Sequence, residues 1–303
     1  MTGVIDIMNY APLVAPGLSG TEYQFDEFQT MVRTTLRPLL RNGIVTTQWG
    51  REVDVAHPPT EPDPTLNIDG ALAELDRTGC DAAVLACVKM WSYRSHHRLI
   101  MDMPEEVVAE AVQKGGGRFI GGAGYNPFRI DDSLRRIETF VRDHGFQYVY
   151  FHPMTFGLAP NDRRCYPLYA KCAELRIPVG LQVGHSAEPL PSNVGHPMLV
   201  DDVAIDFPDL KINLSHTGWP WTGEFISMLW RHPNVYGDIS AYFPKSLDPE
   251  LVRAMDRQIR HKVMIGSNGL DLKRCVEELN ELPLRDASKE RILRQNAVEF
   301  LGL

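Results

Sequence analysis

The chain has 303 residues, of which 44% are hydrophobic and 23% are charged, and its formal net charge is −8. This composition is that of an ordinary globular protein, and the acidic balance argues against nucleic acid or an anionic membrane as a partner, because both bind clustered Lys and Arg. Every apolar run is shorter than the roughly 18 residues that a membrane span needs, and the N-terminus has no signal-peptide pattern. The five cysteines include no C-x-x-C pair and are odd in number. Reduced thiols and a cytoplasmic location are therefore expected.

The chain opens with an apolar, β-branched run at residues 4–8, which predicts a first strand. Its alternation places Asp6, Met8 and Tyr10 on one face. Residues 11–67 follow without a regular pattern and include a proline-rich piece at 57–64. Because a loop of this length is usually functional or flexible, we predict that 11–67 is an insertion that caps one end of the fold.

From residue 68 onwards, predicted helices and strands alternate. The strands are predicted at 81–87, 118–122, 147–151, 178–183, 211–214, 235–238 and 262–265, and the helices at about 68–78, 104–113, 131–144, 166–175, 198–206, 223–230 and 249–260, with two more at the C-terminus. Residues 89–98 are predicted to form a polar and aromatic loop. The strands are apolar at nearly every position, as expected for a parallel sheet covered on both faces.

Three of the predicted strands end in a histidine, namely His152, His185 and His216. Polar residues in fact close nearly every strand, which favours a (β/α)8 TIM barrel over an open sheet whose functional residues gather at one switch point. The three imidazoles would then meet at the C-terminal rim, where barrel enzymes place their chemistry. We predict one domain over 1–303, with the long first loop over the barrel mouth.

Several segments, in the same order, resemble the amidohydrolase superfamily, in the amidohydrolase-related branch that includes aminocarboxymuconate semialdehyde decarboxylase. They lie at residues 4–6, 177–185, 207–218, 234–240, 263–268 and 296–301. The resemblance implies a barrel of amidohydrolase type and a homodimer. It also implies a divalent metal held by an H-x-H pair on strand one, a His after strand five and an Asp after strand eight, with a His after strand six for acid/base chemistry.

The sequence departs from this ligand set at three positions. Met8 and Tyr10 occupy the H-x-H positions, and Asn268 occupies the Asp position, so that only His185 and His216 remain. A thioether suits Cu(I) rather than Zn or Mn, and an amide brings no charge. We therefore predict that the metal site of the family is lost and that no cofactor is needed. The alternative is a Zn or Mn site formed by the three strand-end histidines.

The retained histidines can transfer protons. An imidazole with a pKa near 6.5 gives or takes a proton at neutral pH, so His185 and His216 are the predicted acid/base residues. The structural alternative for each is a hydrogen-bonded strand end. Tyr10 and His152 are predicted to assist by holding or polarising the substrate. Tyr10 could instead fill the barrel, and His152 could bind substrate or support a neighbour.

Five further residues are candidates for contact with the substrate: Asn268, Asp238, Met8, Lys89 and Trp219. Asn268 offers hydrogen bonds or forms a turn, Asp238 orients His216 or caps a turn, and Met8 fills the space of the metal.

Two groups of neighbouring residues widen this set. Lys89 leads a cluster with Arg94, His96 and His97 that suits an anionic substrate or forms a solvated loop. Trp219 and Trp221 form a wall for a flat ligand, or pack against helices or a second subunit. Asp271 could supply the missing acid, but its position is more typical of a helix start.

Together these features favour an enzyme that hydrolyses, decarboxylates, hydrates or isomerises a small cyclic or carboxylated compound without a metal. One alternative is a metal-dependent hydrolase or decarboxylase that uses His152, His185 and His216. Another is a non-enzymatic binding protein that keeps the barrel as a scaffold. The expected partners are a small anionic or aromatic molecule and, from the resemblance, further copies of the chain.

Overall fold

The computed structural model describes residues 3–10, 14, 25–33, 44–46, 52–54, 67–92 and 95–303. Eight parallel strands form one sheet in chain order. They are β1 (Val4–Tyr10), β2 (Cys80–Ala86), β3 (Phe119–Gly124), β4 (Tyr148–Phe151), β5 (Val179–Gln182), β6 (Ile212–Ser215), β7 (Val235–Asp238) and β8 (Val263–Met264).

Backbone hydrogen bonds close this sheet. The Ile7 N–H donates to the Ile265 carbonyl oxygen over 3.1 Å, and the Asn268 N–H donates to the Met8 carbonyl oxygen over 2.7 Å. These bonds join the segment after β8 to β1, so the predicted (β/α)8 barrel is confirmed.

The helices lie between the strands, as predicted. They span Ile68–Thr78, Glu105–Lys114, Ile130–His144, Tyr166–Leu175, Asp201–Asp206, Thr222–Arg231 and Pro249–Met255, followed by Leu272–Glu281, Asp286–Glu290 and Asn296–Leu301. The helices predicted at 198–206 and 249–260 are thus shorter than expected. In the part of the chain that the structure describes, no helix is both long and apolar enough to cross a membrane.

The loop predicted at 89–98 is corrected at its ends, because 89–92 and Arg98 lie in strands and 95–97 form a turn between them. Lys89–Ser92 pairs with Arg98–Asp102 in an antiparallel hairpin that directly follows β2. Its first strand buries Met90 and Ser92. Met and Ser are not enriched in strands, whereas Trp91 between them is, so the strand signal in this segment is mixed.

The first insertion contains more regular structure than expected. A helix spans Asp26–Arg33, and a short hairpin pairs Ile44–Thr46 with Glu52–Asp54. The helix contacts the hairpin after β2, because the Ser92 hydroxyl donates to Glu27. Most of 11–67 lies outside the described residues, so its role as a cap stays a prediction, as does the single domain.

The parallel strands bring their C-terminal ends to one rim. Below this rim the strands carry wholly buried residues such as Ile7, Val84, Val149 and Leu214, which belong to one hydrophobic core cluster. All five cysteines are buried and unpaired. The residues that follow β4, β6, β7 and β8 therefore meet at the top of a rigid apolar core, and the candidate site is built there.

Candidate active site

A chain of hydrogen bonds links β7 to His216, which directly follows β6. Nδ1 of His216 lies 2.6 Å from Ser240 Oγ, and the Ser240 hydroxyl donates to Asp238 Oδ1. Because Ser240 uses its proton for Asp238, it accepts from Nδ1–H. The lone pair of the neutral imidazole is then on Nε2.

Asp238 also fixes the turn that carries His216. Its Oδ1 accepts the His216 backbone N–H over 3.2 Å, and its Oδ2 accepts from Asn213 Nδ2 over 2.7 Å. His216 and Thr217 have φ values of 72° and 64°. This region is costly for non-glycine residues and is found mainly at functional sites and tight turns. The predicted role of Asp238 in orienting His216 therefore has a direct geometric basis.

Tyr150 faces the free nitrogen of His216. Its hydroxyl oxygen lies 3.3 Å from His216 Nε2 and donates to Gln182 Oε1 at 3.1 Å. Burial lowers the pKa of His216, although the negative charge of Asp238 opposes this effect. Burial also raises the pKa of Tyr150 well above its usual value. At neutral pH the pair is therefore a neutral imidazole beside a protonated phenol.

His152, which follows β4, belongs to a second cluster at the mouth. Its Nε2 lies 3.3 Å from Ser186 Oγ and 3.9 Å from Glu188 Oε2, and the Ser186 hydroxyl donates to Glu188. Nδ1 of His152 is buried and has no hydrogen-bond partner among the described residues. Burial, with a smaller contribution from His216, lowers the pKa of His152 to about 3, and burial raises the pKa of Glu188. His152 and His216 therefore share one end of the barrel.

The sequence interpretation missed Ser186, Glu188, Tyr150 and Ser240. Ser186 and Glu188 lie in the loop after His185, where the short polar run interrupts proline and apolar residues. These polar residues directly after a strand-end histidine were the sequence signal that could have identified Ser186 and Glu188 as site residues. Tyr150 and Ser240 carry no such signal, because only the pairing of neighbouring strands brings them to His216.

On the other side of the mouth, β1 and the segment after β8 bind each other. The Tyr10 hydroxyl donates to Asn268 Oδ1, and Met8 is wholly buried. Asp6 accepts hydrogen bonds from the Ser267 hydroxyl at 2.6 Å and from the Ser267 backbone N–H at 2.8 Å. Asn9 Nδ2 and the Met8 backbone N–H also donate to Asp6. The polar groups here are satisfied by one another.

The β1 and β8 positions do not fit the divalent metal that the resemblance implies. Met8 offers a thioether, and the Asn268 carbonyl oxygen is engaged by Tyr10. Burial, followed by the charges of Glu188 and Asp238, raises the pKa of Tyr10 far above its usual value, so the phenol keeps its proton. Among the described residues, no three His, Cys, Asp or Glu side chains are grouped to hold a metal ion.

His185 lies on the outer part of the rim between two tryptophans. Its ring centroid is 5.1 Å from that of Trp219 and 5.7 Å from that of Trp221, both edge-on. Its backbone N–H donates to the Trp219 carbonyl oxygen over 2.8 Å. His185 and Trp219 are exposed. The structure therefore brings His152 and His216 together and places His185 with the aromatic wall.

Lys89 is held by acidic residues outside the histidine cluster. Its Nζ lies 2.5 Å from Asp102 and 3.3 Å from Glu105, and Glu105 also binds Arg136 at 2.6 Å. These groups line a cavity of about 440 Å³ between the hairpin after β2 and two helices. Asp102 and Glu105 thus compensate the positive charge of Lys89.

The other candidates that the structure describes make contacts of their own. His96 contacts Phe25 edge-on and lies 3.8 Å from Glu27, and His97 is exposed. Arg94 lies outside the described residues. Asp271 caps the helix Leu272–Glu281, which was the structural alternative for this residue.

Comparison with known proteins gives a family and a set of similar folds. A profile described as amidohydrolase matches residues 93–303. No curated protein sequence matches the chain at a significant level.

Three solved structures align along nearly the whole chain. An uncharacterised TIM-barrel protein, Bb4693 from Bordetella bronchiseptica, has a TM-score of 0.73 and 23% identity over 99% of this chain and 98% of its own. A dihydroxybenzoic acid decarboxylase from Polaromonas sp. JS666, with bound manganese and the inhibitor 2-nitroresorcinol, has a TM-score of 0.66 and 16% identity over 100% and 98%. A 2,6-dihydroxybenzoate decarboxylase complexed with 2,6-dihydroxybenzoate has a TM-score of 0.64 and 14% identity over 100% of both chains. At these identities the similarity concerns the fold.

Proposed function

The chain belongs to the amidohydrolase family, since the profile covers more than half of it, and from this premise we propose that it is a metal-independent enzyme in which His216 moves a proton on a small cyclic or carboxylated compound. The reaction is a hydrolysis, decarboxylation, hydration or isomerisation. Each of these needs one proton to be added or removed at a defined substrate atom. The family is one of enzymes, which argues against the scaffold alternative.

The observation that carries this proposal is the hydrogen-bonded chain from Asp238 through Ser240 to His216. It fixes the tautomer, so that Nε2 accepts a proton from a bound substrate or water. When His216 is protonated, its Nδ1–H remains bonded to Ser240, and the Asp238 carboxylate stabilises the new positive charge. When a substrate is bound, the Tyr150 hydroxyl next to Nε2 turns its one proton from Gln182 Oε1 to the substrate oxygen that gains negative charge.

A flat aromatic ligand suits the rest of the mouth. The Polaromonas and 2,6-dihydroxybenzoate decarboxylases are named for dihydroxybenzoates. Here His185, Trp219 and Trp221 supply an aromatic wall at the rim. We assign His185 and Trp219 to contact with the ring, and Tyr10, Asn268 and His152 to its polar substituents. A cytoplasmic location and assembly into a homo-oligomer belong to the same proposal.

Manganese bound to the Polaromonas enzyme supports a second candidate, a metal-dependent decarboxylase or hydrolase that uses His152, His185 and His216. This candidate requires His185 to leave its position beside Trp219. The donor chemistry at Met8, Tyr10 and Asn268 favours the metal-independent reading.

One experiment separates the two candidates. Protein purified without chelator is analysed for Zn and Mn and then assayed, with and without EDTA, on 2,6-dihydroxybenzoate, dihydrocoumarin and 4-nitrophenyl acetate. We expect turnover that EDTA leaves unchanged and that His216→Ala lowers by about 10²–10⁴-fold, with an unaltered circular dichroism spectrum. Full activity in His216→Ala contradicts the proposal. One bound Zn or Mn per chain, lost together with activity, supports the metal-dependent enzyme instead.

A further inference from the structure

Glu188 has a carboxyl group at the barrel mouth and takes no part in the proton transfer proposed for His216. Its side chain is 10% exposed and lies 3.9 Å from Nε2 of His152. Its hydrogen-bond donor is the Ser186 hydroxyl. The charge of Glu188 also contributes, after burial, to the raised pKa of Tyr10. Glu188 therefore borders the same space as the residues assigned to the substrate.

The groups around Glu188 give it no positive partner in the described structure. His152 is uncharged at neutral pH because its pKa lies near 3, and Tyr10 and Tyr150 keep their protons. Asp238 adds a second negative charge close enough to affect both tyrosines. Lys89, a buried cation on the hairpin after β2, is paired with Asp102 and Glu105. Among the described residues, a ligand that enters this space therefore meets the Glu188 carboxylate without a counter-charge.

We propose that Glu188 is a specificity residue, which selects an uncharged ring with a hydroxyl group to donate to it and rejects a ring that presents a carboxylate. This proposal rests on the proposed function and narrows it. A buried carboxylate is stabilised by a hydrogen bond from a hydroxyl group. A second carboxylate at the same place is opposed by repulsion and by its own desolvation. Among the four reactions, hydrolysis of an ester or lactone and other reactions of neutral substrates are then favoured over decarboxylation.

A matched pair of ligands tests the charge alone. Methyl 2,6-dihydroxybenzoate and 2,6-dihydroxybenzoate share the ring and both hydroxyl groups, and they differ in the carboxylate charge. Their dissociation constants are measured at pH 8 by stopped-flow quenching of tryptophan fluorescence, which reports binding before the ester can be hydrolysed. We expect wild type to bind the ester at least about 10-fold more tightly than the anion, which is the scale of one unscreened like-charge contact. Glu188→Gln should bring the two within about 3-fold, mainly by improved binding of the anion.

Glu224→Gln is the control, because it removes the same charge from a half-exposed position near His196 on the rim; it should leave the ratio at its wild-type value. Equal binding of both ligands by the wild type overturns the proposal. So does an unchanged ratio in Glu188→Gln, or a wild type that fails to bind the ester at millimolar concentration. The wild-type ratio stands as a test even where Glu188→Gln does not fold. Because binding and not turnover is measured, an active His216→Ala would overturn the proposed function without changing this result.

Discussion

On the β6–β7 side of the barrel mouth, hydrogen bonds run from Asp238 through Ser240 to His216, and the next group along is the Tyr150 hydroxyl. On the β1–β8 side, they run from Asp6 to Ser267 and Asn9 and return to the backbone of β1. The first network reaches an imidazole nitrogen that can exchange a proton with a ligand. The second satisfies its own members and joins the first strand to the last.

This contrast explains what became of the positions that the family resemblance assigns to a metal. Met8, Tyr10 and Asn268 all lie on the β1–β8 side, where they pack or bond to each other. His216, to which the resemblance assigns acid/base chemistry, lies on the other side. We therefore expect substitutions in the network of Asp6, Ser267 and Asn9 to change stability, and substitutions on the β6–β7 side to change catalysis.

The largest effect is expected for Asp6→Ala. This change leaves the Ser267 N–H and hydroxyl and the Asn9 amide buried without their acceptor. Each such group costs about 1–3 kcal/mol, so the free energy of unfolding should fall by about 3–5 kcal/mol. Urea unfolding followed by circular dichroism measures it.

Asp209→Ala removes an exposed carboxylate and should change the free energy of unfolding by no more than about 0.5 kcal/mol. A loss of less than about 1 kcal/mol in Asp6→Ala would mean that the β1–β8 network does not hold the barrel closed.

Much of the barrel could be predicted from the sequence because its signals are local. Ile68–Thr78 begins after the cap Asn67 and ends at Gly79 with φ 67°, and the prediction matched both ends. The strands are apolar runs of the right length between such stops. The hairpin after β2 was missed because Met90 and Ser92 owe their burial to tertiary packing, which no local pattern records.

Some residues of the candidate site could also be predicted from local sequence signals, and others could not. His152 and His216 could be predicted because the end of a parallel strand fixes where a residue lies. Ser240 and Glu188 could not, because their partners are on other strands or in a loop whose path depends on the whole fold. His185 ends its strand as predicted, yet the turn after β6 brings Trp219 and Trp221 against it at the rim.

A second test uses the opposite pH responses of His152, which follows β4, and of Asp6 on the β1–β8 side. His152 has a folded pKa of about 3, below its usual 6.5, because burial disfavours the charged form. The stability that the neutral imidazole contributes is present above pH 6.5 and is lost as the pH falls towards 3. Between pH 7.5 and pH 5, the wild type should lose about 2 kcal/mol relative to His152→Asn.

Asp6 has the opposite effect on the pH dependence of stability. Burial raises its pKa from 3.8 to about 6, so its contribution to stability falls as the pH rises. The stability linked to its proton is present below pH 3.8 and is lost as the pH rises through 6. Both effects appear in urea unfolding at several pH values. His144→Asn removes an exposed imidazole, and its unfolding free energy should follow the wild type. Parallel curves for His152→Asn and the wild type would show that His152 is not held uncharged.

The smallest effect is expected for Ser240→Ala, which separates positioning from stability on the β6–β7 side. Loss of the Ser240 oxygen removes the acceptor for Nδ1–H of protonated His216, so the pKa of His216 falls further and its ring is held less firmly. With the fastest compound of the assay panel, kcat should fall about 10-fold with little change in KM, and the acidic limb of the pH profile should move to lower pH. Ser227→Ala, on an exposed helix surface, should change neither quantity. A lower melting temperature with an unmoved acidic limb would assign Ser240 to packing alone, and Asp238 would then act on His216 only through the backbone N–H.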